Sequence, residues 1–216
     1  MCARLPVTVN PSALTWMRAS ASAIRSRTDD DVLLVAGPNL GTRSEEVLRL
    51  AAVHPDATVL GLAAETNQPA TAERVVDSMN GAWLAHIAAH GTFRSDSPLF
   101  SSLQVDDGPL FVHDLDRLNR PPRNVVLSAC ETAVASPVGA DELLGLITGL
   151  LRLGTSSVLG SVAVVNDAAA VPFMSDVHRA LIGGATMAEA ALRGRQAATN
   201  DPLAAATAGS FNVWGA

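Results

Sequence analysis

Val32-Leu33-Leu34-Val35-Ala36 is an unbroken apolar run stopped by Gly37-Pro38. Five such residues with no polar alternation read as a strand covered on both faces, the kind that parallel sheets are built from. Working outward, similar runs recur at 58–62, 83–88, 125–127 and Ser157–Ser161. Between them lie amphipathic stretches. Residues 44–53 read as a helix, and Ala72, Val75, Val76 and Met79 mark a helix face at i, i+3, i+4 and i+7. Residues 141–153 form another, closed by Gly154 as a left-handed cap.

Pro11-Ser12 caps a first helix carrying Leu14, Met17, Ala21 and Ile24. Asp167–Ile182 and residues 187–198 read as the last two helices, the second opened by Thr186 and Glu189 in capping-box spacing. Residues 91–123 are loop-rich, with room for a small hairpin around Leu103-Gln104-Val105, and residues 211–214 read as a final strand. Short buried strands alternating with helices predict a largely parallel sheet with helices on both faces.

The chain has 216 residues, 48% of them hydrophobic and 17% charged, which is ample for a core and excludes disorder. The expectation is one domain over residues 1–216. The charge sum, 15 − 21 = −6, argues against a surface that binds nucleic-acid phosphates or anionic lipid. Two cysteines, Cys2 and Cys130, are too few for a disulfide framework. The opening residues lack the apolar stretch of a signal peptide, and residues 143–153 fall short of the roughly 20 needed for a membrane span. These features predict a soluble, cytoplasmic protein.

Ligands of open parallel sheets bind at the carboxyl ends of the strands. There the third strand runs into Ala89-His90-Gly91 and the fourth into Ser128-Ala129-Cys130-Glu131-Thr132. Consecutive strands tend to be neighbours, about 4.8 Å apart, which brings imidazole and thiol within reach across 130 − 90 = 40 residues. A thiolate is a nucleophile, a histidine beside it takes its proton and returns it to a leaving amine, and a glycine amide can approach an oxyanion unhindered. A cysteine at a strand end reads equally as buried packing.

Several blocks resemble the hallmark segments of CHAT domains, a family of the caspase-like cysteine peptidase clan. They are Ala85-His86-Ile87-Ala88-Ala89-His90-Gly91, Pro98-Leu99-Phe100-Ser101-Ser102-Leu103, Val126-Leu127-Ser128-Ala129-Cys130-Glu131-Thr132, Gly139-Ala140-Asp141-Glu142-Leu143-Leu144-Gly145-Leu146 and Phe211-Asn212-Val213-Trp214-Gly215. The resemblance runs over residues 11–215. It implies a three-layer α/β/α fold with a six-stranded, mostly parallel sheet whose last strand is antiparallel. It further implies a catalytic dyad of His90 and Cys130, with the backbone amides of Gly91 and Cys130 as oxyanion hole. The implied reaction is hydrolysis of a peptide bond in a protein substrate through a thioester, with neither metal nor cofactor.

Two departures concern specificity: Ala133 stands where the family often has glycine, and Val162-Ala163-Val164-Val165-Asn166-Asp167 replaces an aromatic-acidic segment. Arg43 suits an acidic substrate side chain, and Glu131 or Asp167 a basic one; each also reads as a solvated or capping residue. The family commonly sits beside sensor modules, so a sensor or regulatory partner is expected. The alternative to an enzyme is a catalytically silent caspase-like scaffold in a regulatory or defence system.

The remaining residues carry blander expectations. His86, inside the third strand, reads as a core histidine bonded to backbone, and His54, His113 and His178 as solvated. No spacing among the histidines and Cys130 makes a zinc site. Gly37-Pro38-Asn39-Leu40-Gly41 lacks the spacing and the lysine of a phosphate loop and reads as a turn.

Overall fold

The computed structural model describes residues 4–23, 31–41, 43–62, 68–92, 100–131, 140–163 and 165–216. Its strands are β1 (Val32–Ala36), β2 (Thr58–Leu60), β3 (Leu84–Thr92), β4 (Ser102–Val105), β5 (Gly108–Phe111), β6 (Asn124–Glu131), β7 (Ser157–Ser161) and β8 (Phe211–Gly215). The helices are α1 (Ala13–Ala23), α2 (Arg43–Val53), α3 (Ala72–Met79), α4 (Ala140–Leu153), α5 (Asp167–Ile182), α6 (Met187–Ala197) and α7 (Pro202–Ser210).

Six strands form the central path in the order β2-β1-β3-β6-β7-β8. The first five run parallel, and β8 lies antiparallel to β7. The β4-β5 hairpin pairs antiparallel with the end of β3, giving a sheet of eight strands among the described residues. The expected three-layer α/β/α architecture is present, with the hairpin as an addition at one end.

Two buried clusters lie on opposite faces. Leu33, Val35, Ala85, Ile87, Ala89, Val125 and Leu127 pack against residues of α3, α4 and the hairpin. Val32, Leu34, Leu84, Ala88, Val126 and Leu159 pack against α2, α5 and α6. The split follows from strand geometry, because successive side chains point to opposite faces. β1 is buried along its whole length, which is why it shows no polar alternation.

Three local differences from the sequence reading have physical causes. β3 and β6 run on past Ala88 and Leu127, because the two strands pair in register from Leu84↔Asn124 to Gly91↔Glu131. Alanine and serine there have weak β-propensity, so only the ladder carries the strand onward. Helix α7, unforeseen in an alanine-rich stretch without an apolar stripe, is opened by Asp201, whose side chain accepts from the Leu203 amide, with Pro202 in its first turn. His54 and His178 are buried rather than solvated, and His86 bonds to side chains rather than to backbone.

Candidate active site

Parallel β1, β3, β6 and β7 all end at one edge of the sheet. At that edge β3 and β6 are direct neighbours, with His90 the register partner of Cys130 and Gly91 that of Glu131. Both candidate residues lie within the strands rather than in the loops beyond them. Their backbones are therefore held by the ladder at the interstrand spacing of about 4.8 Å.

His90 is half-buried, and its Nε2 lies 3.1 Å from the carbonyl oxygen of Asn39. A carbonyl oxygen can only accept, so this bond places the ring proton on Nε2 and makes Nδ1 the basic nitrogen of the neutral imidazole. The carbonyl is presented by the turn after β1. Gly37 donates to Ala88 O at 2.8 Å, which continues the β1–β3 pairing into the turn. A side chain at 37 would bring its Cβ to 2.6 Å from Gln104 O, so only glycine lets the turn lie this close to β3 and β4. Asn39 takes φ of 58°, a left-handed conformation that asparagine tolerates, and the buried Leu40 anchors the far side.

The turn read as inert in the sequence thus supplies a group that orients His90. No side-chain chemistry could have announced it, since the contributing atom belongs to the backbone. The nearest signal was an asparagine between proline and leucine directly after a buried strand.

The three candidate specificity residues come to the same edge by way of different strands. Arg43 opens α2 after β1, Glu131 ends β6, and Asp167 opens α5 after β7. Asp167 sits in the first turn of its helix, where a negative charge is favoured, behind an Asn166 cap that accepts from the Ala169 amide at 3.0 Å. The side chains of Arg43, Cys130 and Glu131, and all of Ala133, lie outside the described residues. Among the described residues no cluster of histidine, cysteine or carboxylate side chains could hold a metal ion, and no helix is long and apolar enough to cross a membrane.

The six-stranded, mostly parallel path between two helical layers is the caspase-like cysteine peptidase fold. Two solved structures share it. One is the Arg-specific cysteine proteinase gingipain R, similar over 86% of this chain and 46% of that one, with a TM-score of 0.55 and 14% identity. The other is the complex of the pro- and mature domains of RgpB from Porphyromonas gingivalis, similar over 92% of this chain and 51% of that one, with a TM-score of 0.56 and 12% identity. The chain therefore spans about half the length of each of these proteinases. No curated protein matches it. The family is shown by sequence: the CHAT domain model matches residues 5–216, and the chain belongs to that family.

Proposed function

We propose that the protein is a cysteine endopeptidase in which Cys130 is the nucleophile and His90 the general acid–base. The observation that supports this most is the register of His90 opposite Cys130, with the His90 proton committed to Asn39 O at 3.1 Å. In this reading Nδ1 takes the Cys130 proton and the thiolate attacks the scissile carbonyl carbon. The amides of Gly91 and Cys130 stabilise the oxyanion, and Nδ1–H then protonates the departing amine as the tetrahedral adduct collapses to a thioester. Water, deprotonated by His90, releases the acyl group and restores the thiol. The backbone carbonyl of Asn39 fills the orienting role that an aspartate plays in other triads.

Arg43, Glu131 and Asp167, at the ends of three elements around the same edge, are the proposed contacts for substrate side chains. The substrate is a protein or peptide.

The test is cleavage of a peptide library by the wild type, Cys130→Ala and His90→Ala, with iodoacetamide alkylation of the wild type and His90→Ala followed against pH. Cleavage by the wild type alone is expected, with Cys130 alkylated well below the ordinary thiol range of about 8.5 only when His90 is present. Equal cleavage by the wild type and Cys130→Ala would sink the assignment. An ordinary thiol titration in both proteins, with no cleavage, gives the molecule to the scaffold reading instead.

A further inference from the structure

On the α2 side of the sheet three histidines and a glutamate form a single buried file. His54 Nε2 lies 2.9 Å from His178 Nδ1, His178 Nε2 lies 3.1 Å from His86 Nδ1, and His86 Nε2 lies 2.8 Å from Glu46 Oε1. His86 and His178 have no exposed surface and Glu46 only 1%, whereas His54 keeps 7%. The file ties together α2, which carries Glu46 and is followed directly by His54, with β3 and α5. It is linear rather than convergent, so it does not make a metal site. The Glu46 Oε2 atom is buried and has no hydrogen-bond partner among the described residues.

The proton count of such a file is restricted. Each link needs one proton and one lone pair. With Glu46 as the carboxylate, all three links are filled when every histidine carries its proton on Nε2, each ring donating towards Glu46. One further proton arriving at His54 Nδ1 lets His54 pass its Nε2 proton to His178 Nδ1. His178 passes its own to His86 Nδ1, and the surplus comes to rest between His86 Nε2 and Glu46 Oε1. All three links are again filled, now with Nδ1 protonated on every ring. A second added proton would set two N–H groups against each other at one link and break it.

We infer that Glu46, His86, His178 and His54 form a buried site that binds a single proton, admitted at His54 and held between His86 and Glu46. The site neutralises its own buried carboxylate charge when it fills. Burial, with the neighbouring His86 second, lowers the His54 pKa. The same burial, then His86 and His54, holds His178 well below the ordinary histidine range, which keeps the charge off both rings. Among the described side chains, Arg49 pairs with Glu45 on α2 and Arg179 with Asp176 on α5, both at the surface. On β3 the other titrating group is His90, four residues or about 13 Å along the strand and oriented by Asn39. On α6, Glu189 is committed to the Thr186 cap and Arg195 donates to Phe211 O.

Nitrogen NMR of the intact chain labelled in its imidazole rings tests this directly, because it reports which ring nitrogen carries the proton. Exposed His113 and half-buried His90 are assigned and set aside through His113→Asn and His90→Asn. At the alkaline end three neutral rings protonated on Nε2 are expected. On acidification, His54 and His178 should change to neutral rings protonated on Nδ1, and His86 should gain its Nδ1 proton, all at one shared midpoint. Appearance of a charged His178 in the folded protein, separate midpoints, or no change before unfolding would each overturn the inference. In Glu46→Gln the shared transition should vanish or move down by at least a tenfold change in proton concentration; a transition at the wild-type midpoint overturns it. Should that variant not fold, the wild-type spectra decide alone.

Discussion

On one face of the central sheet Ala85, Ile87 and Ala89 of β3 enter a cluster that is apolar throughout. The alternate positions of the same strand, Leu84, His86, Ala88 and His90, belong to the other face, where a polar file crosses the core and the candidate catalytic edge begins. One strand thus serves two kinds of interior, and the period of two along it keeps them apart. The difference shows that the polar side is the one on which a neighbouring segment reaches β3 twice. The turn after β1 holds His90 through Asn39 O, and the helix that follows holds His86 through Glu46. An isolated buried imidazole or carboxylate is costly, so histidine and glutamate are tolerated in this core only because each finds the other.

The largest expected effect separates chemistry from packing at the edge. Cys130→Ala and His90→Ala should each lower peptide cleavage by about 10³-fold or more, measured as kcat/KM on a cleaved library peptide, since such groups act as a unit. On the apolar face, Leu127→Ala should lower the free energy of unfolding by about 2–5 kcal/mol in urea titration, through lost burial and a residual cavity. That loss should be the same at every pH.

The polar face should behave differently. The folded pKa values of His54 and His178 are lowered, while the unfolded chain titrates near 6.5. Below about pH 6.5 the unfolded state therefore binds more protons, and stability falls as pH falls. With two such groups the limiting slope is about 2.7 kcal/mol per pH unit, read from urea midpoints between pH 7 and 5. A wild-type curve with no loss over that interval would erase the contrast between the faces.

The smallest effect tests the backbone role of Asn39. Asn39→Gly keeps the carbonyl and suits a φ of 58°, so activity and stability should change by only a few tenths of a kcal/mol. Asn39→Val, strained at that φ, should cost about 1–3 kcal/mol and lower cleavage as well. Equal losses in the two variants would mean that the asparagine side chain, not the carbonyl, is what matters.

Much of the sheet was legible because its strands are continuously apolar and its helices carry regular stripes. β1, β7 and α5 begin and end where the pattern says. Helix α7 was missed because its residues are apolar all round, although Asp201-Pro202 carried a start signal. The buried file was open to a reader of helix faces: Glu46, the wholly buried Leu50 and His54 recur at intervals of four along α2 and the residue that follows it. Taken singly, His54 and His178 read as surface residues, and His86 as a core histidine bonded to backbone, because burial of an ionisable group depends on a partner distant in sequence.

Sequence by itself determined the family, most of the order of strands and helices, and the histidine and cysteine near the ends of β3 and β6. Apolar periodicity and short motifs are local properties, and a chain carries them before it folds. Only the tertiary structure decided that His90 pairs in register with Cys130, that its proton is directed to the Asn39 carbonyl, and that His54, His178, His86 and Glu46 share one file. Those relations join positions 40, 51, 124, 92 and 40 residues apart. They depend on strand register and helix docking to within about an ångström, which hydrogen-bond geometry demands and no local pattern encodes.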